Sequence, residues 1–514
     1  MELSAEPVLE IDDIQGHILV GFRGPNQEIV GFRLDSAALG PARTALLPWA
    51  DKVTSTRTAL ARRKAAKEAE AAGAPLAASD SVMMAMALTA EGLSRLNAAA
   101  RPEDPDFLAG AARSAATLSD VTDPANGVPL GWVYGDVPER IPDVLVVFGG
   151  DSEAAVRGMA DALIADLDSL ATVVLRDSGV RLPEDKEHFG FVDGISQPAP
   201  RGRIAENTAL VHRALPPGDP VAGRFARPGR PLVWPGQYLF GEPTQLADSL
   251  APGPIAGGVG TALKNGSLLV LRRLRQDVAA FQRGMKNLAA SFAGQGLNAD
   301  AATVAAWCVG RWSDGTPLVL SSDAPDPSIG GNIHRRNGFL FSQALDFADL
   351  RLSDGSEVRF PGSPADLFGQ ACPFFAHIRQ VNPRDDPVDF GGHGITLQAQ
   401  MLRRGIPYGP VWTGADDGVD RGLIFMAYQT SIANQFHRLM KRWVNDNTAP
   451  LSRSGIDPVI GADKSPGRAL ERRHADGHFA RSLLRGNWVT ATGAVYAFTP
   501  GLSALRRMLT EQTS

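Results

Sequence analysis

Four short segments of this 514-residue chain hold residue types that could work together chemically. The first is Phe189-Gly190-Phe191-Val192-Asp193-Gly194-Ile195-Ser196-Gln197-Pro198. Glycines around an Asp-Gly pair predict a tight turn that presses backbone against a flat ligand and projects one carboxylate. The bare GxxDG pattern is a weak signal. It recurs at Gly414-Ala415-Asp416-Asp417-Gly418, and the ordinary role of such an Asp is to cap a turn. Aromatic neighbours and a Gln-Pro ending set the first copy apart. The second segment is Cys372-Pro373-Phe374-Phe375-Ala376-His377-Ile378-Arg379-Gln380-Val381-Asn382-Pro383-Arg384. A His on an apolar approach, followed by two arginines and an Asn-Pro turn, suits an imidazole ligand to haem iron with cations near the propionates. The alternative is a core histidine bonded to backbone. The third, Met401-Leu402-Arg403-Arg404-Gly405-Ile406-Pro407-Tyr408-Gly409, ends a strand with an Arg pair that could set one guanidinium over a ligand; otherwise both are solvated or ion-paired. The fourth, Ile14-Gln15-Gly16-His17-Ile18-Leu19, reads as a short opening strand with no chemistry of its own.

Positioning these segments requires an alternation of strands and helices. Residues 28–35 alternate apolar and polar as a half-buried strand does. Residues 41–72 are Ala-rich and charged, predicting a helix with a solvated extension. Residues 81–88 are apolar, 90–97 helical, 143–148 a strong buried strand, 151–169 helical in spacing, and 171–175 a strand again. The second half repeats this grammar: strand 267–271, helix 276–289, strand 422–428, then a helix over 431–444 with Ile432, Phe436, Leu439, Met440 and Trp443 on one face. The expected class is α+β, with two ferredoxin-like units, each an antiparallel sheet with helices on one face, in preference to one continuous sheet. The expected division is 1–200, ending in the GxxDG loop, and 201–514. The Pro- and Gly-rich stretch 201–254 is read as the connection, and 323–370 as an irregular insertion.

Composition narrows the function. Hydrophobic residues are 44% and charged residues 21%, as in an ordinary globular chain. A net charge of −5 gives no electrostatic case for nucleic acid or an anionic membrane as partner. The two cysteines, Cys308 and Cys372, have neither disulfide-framework nor zinc spacing. The first 15 residues carry five acids and no Lys or Arg, the reverse of an export signal, and no apolar run reaches membrane-span length. A cytoplasmic location is the resulting expectation.

Taken together and in order, the four segments resemble the dye-decolourising peroxidase family, specifically its longer members. That resemblance implies one haem b per chain, held in the second of two ferredoxin-like domains. It implies that His377 is the proximal iron ligand, Asp193 the distal acid and Arg403 the distal arginine. It also implies that Gly194, Ile195 and Ser196 run along the haem, and that Asn382, Pro383 and Arg384 line it, with Arg384 near a propionate. Hydrogen peroxide and aromatic small-molecule reductants (dyes, phenols) are the implied substrates, and the chain is expected to act as a monomer or homodimer.

The chemistry agrees with those roles. Peroxide must lose a proton from one oxygen and gain it on the other before the O–O bond breaks. Asp193 suits that shuttle and Arg403 the developing charge, on the way to an oxyferryl haem. An ordinary carboxylate ionises near pH ~4, and such reductants are oxidised better in acid, so an acidic optimum is expected. A carboxylate on the imidazole Nδ1 is the usual support for a proximal His. Asp457 is the candidate, although Asp385, Asp386 and Asp389 lie nearer in sequence. Bulky dyes call for a surface relay, for which Trp307, Trp312, Trp412, Tyr408 and Tyr428 are candidates. His334, beside Arg335 and Arg336, and His437, on an apolar helix, are the rival histidines. The rival function is haem binding or iron release with incidental peroxidase activity; a further one is a fold that persists without haem.

Overall fold

The apolar runs form strands because both of their faces are covered. The computed structural model describes residues 3–22, 24–73, 81–96, 98–215, 222–247, 250–344, 350–351, 357–358, 362–388, 393–448, 454–462, 467–473 and 477–510. Nine strands build the main sheet: β1 (Asn26–Leu34), β2 (Met83–Leu88), β3 (Val144–Gly150), β4 (Ala171–Val180), β5 (Ser267–Gln276), β6 (Leu402–Arg403), β7 (Ile406–Tyr408), β8 (Gly422–Gln429) and β9 (Val489–Thr499). Their order is β6-β8-β5-β9-β2-β3-β1-β4, with β7 also on β8, and the pairings are antiparallel.

The two ferredoxin-like units are therefore present, the first built on β1–β4 and the second on β5–β9. They are not separate sheets, as element order had led us to expect. β2 and β9 meet at Leu88 and Phe498 and make the two units one continuous sheet. At the other end β4 returns against β7, where a side chain on Gly179 would collide with Ile406.

Strand alternation sorts the side chains between two layers. On one face Val30, Phe32, Met84, Met86, Val144 and Val146 pack on helices Leu39–Ala50 and Glu153–Asp166 through Leu46, Trp49, Val156 and Leu163. Leu268, Val270 and Phe498 continue that face beneath Ile432, Phe436 and Trp443. On the other face Ile29, Leu145, Val147, Leu269, Leu271, Ile424 and Met426 surround Leu9, Ile11, Ile14, Ile18 and Phe22. The sheet is thus wrapped round its own N-terminal segment, and double burial explains why 144–148 reads as an unbroken apolar run.

Several local expectations change. Residues 16–19 form a helical turn (Gly16–Leu19), not a strand, and Gln15 there bonds Met86 and Pro500 through backbone groups. Residues 41–72 hold two helices, Leu39–Ala50 and Thr56–Ala71, separated by a turn. The connection 201–254 carries short strands of its own, among them Phe225–Arg227 and Arg230–Val233. Residues 431–444 wind more widely than an α-helix. His437 N–H donates to the Ile432 carbonyl and Asn445 N–H to that of Met440, each five residues back. Of the insertion at 323–370, residues 345–349, 352–356 and 359–361 lie outside the described residues. Among the described residues no helix is long and apolar enough to cross a membrane.

Candidate functional site

The outer face of β5, β6, β8 and β9 does not end in a fully packed core. Between it and the wide-turned segment 433–444 lies a cavity of about 350 Å³. Arg272 and Leu274 of β5, Arg403 of β6, Phe425 of β8 and Phe436 of the covering segment all face it. The loop 187–197 and the short helix His377–Val381 complete the wall. Asp193, Gly194, Ile195, Ser196, His377, Asn382, Arg384 and Arg403 all line this one cavity. Of the expected site residues, Pro383 is buried beside it and is not part of the lining.

His377 opens its helix, and its ring is held from behind. Nδ1 lies 2.8 Å from Asp457 Oδ2, whose other oxygen accepts the N–H groups of Val459 (2.8 Å) and Ile460 (2.9 Å). The carboxylate is fully buried, whereas the imidazole is 23% exposed. This bond places the proton on Nδ1 and leaves the Nε2 lone pair for an acceptor such as a metal ion. Burial works against a charged ring. The charge and hydrogen bond of Asp457 outweigh it, and the proton affinity of His377 ends above the ordinary value. Arg403 and Asp193 are close enough for their charges to act on the ring in opposite senses. The nearer carboxylates are otherwise engaged. Asp385 caps the N–H groups of Phe341, Ser342 and Gln343, Asp386 holds Arg379, and Asp389 lies outside the described residues.

Asp193 sits in a turn that needs its glycine, since Gly194 has φ +71°, which an L side chain rarely adopts. Oδ1 accepts the Gly194 N–H at 2.6 Å, so the capping role is real, yet the residue is exposed to the cavity. The other GxxDG copy differs. Both oxygens of Asp417 are held by Arg421, at 2.9 and 2.7 Å, which takes its carboxyl down to about 2. The Arg403 guanidinium donates to Ser196 O at 2.7 Å. Gln197 bonds the Arg403 backbone in both directions, at 3.2 Å each, so the motif's Gln fastens the acid's loop to the arginine's strand. Arg404 points the opposite way, as alternation requires, and donates to His17 O and Ile18 O.

Three lining residues escaped the sequence reading. Glu187 accepts N–H groups from Phe189 (2.9 Å), Phe191 (3.0 Å) and Gln276 Nε2 (2.5 Å), and burial pushes its carboxyl up to about 7. Gln197 is the second. Arg311 is the third; it is buried and donates to neutral acceptors, the carbonyls of Gly315 and Arg336 and the amide oxygen of Asn337. Arg384 shares Asn337 with it and lies 3.8 Å over the Phe339 ring, in a left-handed backbone conformation (φ +55°). Burial brings Arg384 down to about 9 and Arg311 far below its ordinary value. Two guanidinium groups desolvated together favour an anion brought against them. Arg379, the other cation of the His377 segment, is instead buried in pairs with Asp366 and Asp386 and does not line the cavity. His334 also lies outside the lining, and His437 is packed between Asp106 and Tyr496. Trp307, Trp312, Tyr408 and Tyr428 are each under 8% exposed, so none is a surface relay; Trp412 is partly exposed.

This donor set fits a haem. Among the described residues no three His, Cys, Asp or Glu side chains are grouped to hold a bare metal ion. Iron on His377 would have to arrive within a cofactor that supplies its other ligands. The desolvated Arg311 and Arg384 suit carboxylates at that cofactor's rim.

Comparison with known proteins agrees. Residues 13–181 match the DyP dimeric alpha+beta barrel domain, and residues 353–482 the C-terminal domain of Dyp-type peroxidases. The dye-decolorizing peroxidase msp1 of Mycetinis scorodonius is 30% identical over 526 residues, covering 98% of this chain and 89% of the relative. An ancestral D-type dye decolorizing peroxidase superposes with a TM-score of 0.76 at 26% identity, over 98% of this chain and 100% of that one. A dye-decolorizing peroxidase in complex with 2,6-dimethoxyphenol does so with a TM-score of 0.72 at 26% identity, again over 98% and 100%. With both domain matches in order and a relative this similar along the whole chain, the protein belongs to the dye-decolourising peroxidase family and is a haem-dependent peroxidase of that type.

Proposed function

We propose that the cavity holds one haem b per chain with His377 Nε2 as its protein ligand, and that the substrates are hydrogen peroxide and aromatic reductants. When bound, haem supplies the redox centre that takes up the oxidising equivalents of peroxide. The Asp193 carboxylate takes a proton from one peroxide oxygen and delivers it to the other. Arg403, steadied by Ser196 O and Gln197, presents a fixed positive charge to the departing oxygen. Asp457 keeps the His377 proton on Nδ1 and makes the ring a stronger donor. Arg311 and Arg384 bind the propionates, while Gly194, Ile195, Ser196 and Asn382 line the ring. Phenols are the reductant class we favour, because a relative has been solved with 2,6-dimethoxyphenol.

The observation that carries this reading is the Asp457-supported His377 sharing a cavity with Asp193 and Arg403. Spectra of haem-loaded wild type and His377→Ala test it. The wild type should show a Soret band and peroxide-dependent dye bleaching, and the variant should lose or shift the band. Haem binding without turnover would instead make this a haem-handling protein. A wild-type Soret band that His377→Ala leaves untouched ends the ligand assignment.

A further inference from the structure

A second group of cations stands outside the cavity and has no part in that chemistry. The short strands Phe225–Arg227 and Arg230–Val233 pair so that Arg227 is directly opposite Arg230, across a Pro228-Gly229 turn. The turn presses on the chain next to Arg336. Asn337 Nδ2 donates to Gly229 O at 2.7 Å, and a Cβ on Gly229 would lie 1.4 Å from Asn337 O. Arg336, and Arg63 on the helix Thr56–Ala71, are close enough for their charges to act on Arg227. Arg63 acts on Arg230 as well. His334 lies within reach of the charges of Arg227, Lys67 and His212.

The protein does not neutralise this group. Among the described residues Arg227, Arg230 and Arg336 make no ion pair. The Arg230 guanidinium donates to Pro198 O at 3.3 Å, a neutral acceptor. Asp185 is the acid whose charge reaches Arg336, and it is exposed and paired with Arg181 at 3.4 Å. Nε of Arg227, Nε of Arg230 and Nδ1 of His334 are buried with no hydrogen-bond partner. Burial lowers the proton affinity of all three arginines, that of Arg230 to about 9, and that of His334 too.

Like charges directly opposite on paired strands are destabilising, and guanidinium groups stripped of water without a counter-charge add to the cost. An anion seated among them relieves both effects, and the guanidinium fork matches oxyanion geometry. None of the three arginines lines the cavity, so this group is distinct from Arg311 and Arg384, which contact Asn337 through its Oδ1.

We propose that Arg227, Arg230 and Arg336 form an oxyanion-binding site for a tetrahedral group of the phosphate, sulfate or sulfonate class. Three cations around one point suit several oxygens and up to two charges better than a single carboxylate does. Arg63 and Lys67 add positive potential from the neighbouring helix, and His334, once protonated, adds a further N–H. Such a group arrives either as a free inorganic ion or on an aromatic molecule.

Sulfate tests the site, because it carries no titrating proton near neutral pH. It is titrated calorimetrically into haem-loaded protein at constant ionic strength, with chloride as the balancing anion. Wild type should bind one sulfate per chain saturably and take up protons as it does so, because the bound charge favours protonated His334; the measured heat then varies with the buffer used. Arg227→Gln should weaken binding about ten-fold or more. In sulfate-free buffer its thermal midpoint should be no lower than that of wild type, since one of two opposed charges is gone. Arg336→Gln should weaken binding likewise, and His334→Gln should bind sulfate without the proton uptake. Benzenesulfonate separates the two sources: competition with sulfate assigns the site to anionic aromatics as well, and sulfate binding without competition assigns it to free inorganic ions. Unsaturable heats in wild type, or an affinity that neither arginine variant lowers, overturn the site. The site does not depend on haem: a missing Soret band would end the haem assignment and leave this one to be decided by the same variants.

Discussion

The Asp457 carboxylate decides what kind of ligand His377 can be, because a ring whose Nδ1 proton is drawn away gives more electron density through Nε2. Asp457→Asn should therefore raise the reduction potential of the haem-loaded protein, measured by spectroelectrochemistry, with the Soret band retained. Asp193→Asn and Arg403→Leu remove charge from the wall the peroxide meets. Each should slow the stopped-flow reaction with peroxide about 10²–10³-fold while leaving haem binding near wild type. Glu187 makes a pH prediction. Burial holds its proton to about 7 against an ordinary 4.5, so the folded chain binds that proton more tightly than the unfolded chain does. Its contribution is full below pH ~4.5, falls as pH rises toward 7, and is constant beyond. Wild-type stability minus that of Glu187→Gln should then drop across this window, by at most about 3 kcal/mol, in urea titrations at pH 4.5 and 7.5. His377, Asp193 and Arg403 were legible in the sequence because each sits in a distinctive local string. Their partners were not. Asp457 is 80 residues from His377, with nearer carboxylates competing, and Glu187, Gln197 and Arg311 become site residues only through contacts that folding creates.

At the level of the elements, one side chain joins the acid's loop to the arginine's strand. Gln197 satisfies both backbone groups of Arg403, and Arg403 returns a bond to Ser196 O. Gln197→Ala should leave the haem spectrum unchanged yet slow the peroxide reaction about ten-fold, since loop and strand are then free to drift apart. An unchanged rate would mean that packing alone sets their spacing. The sequence announced the strands well, because period-two and continuous apolar runs report burial directly. It was poorer at the cavity's roof. Residues 431–444 have helical amphipathicity, and nothing in that pattern distinguishes wide turns from ordinary ones. The single helix expected over 41–72 failed for another reason: residues 51–55 break it so that Thr54 can exchange backbone and hydroxyl bonds with Met84 on the sheet.

At the scale of the molecule, the two units share one sheet and one interior, and Gln15 shows how closely they are bound. Its amide donates to Met86 O of the first unit (2.9 Å) and to Pro500 O just beyond the last strand (2.8 Å), and it accepts the Met86 N–H at 3.0 Å. Gln15→Ala strands three buried backbone groups and should cost about 2–4 kcal/mol, read as a lower thermal midpoint with the transition still single. Two separated transitions in the wild type would contradict a shared interior. Neither the sheet's continuity nor its filling was visible in the sequence, because element order is the same for joined and separate units, and the filling segment looked like a strand. That filling carries a consequence for synthesis. Leu9, Ile11 and Ile14 pack with Val495 and Ala497, so the opening stretch finds its final neighbours only when nearly the whole chain has left the ribosome. Until then only first-unit neighbours such as Ile29, Leu145 and Val147 can cover this greasy stretch, and its casing closes once the last strand has been made.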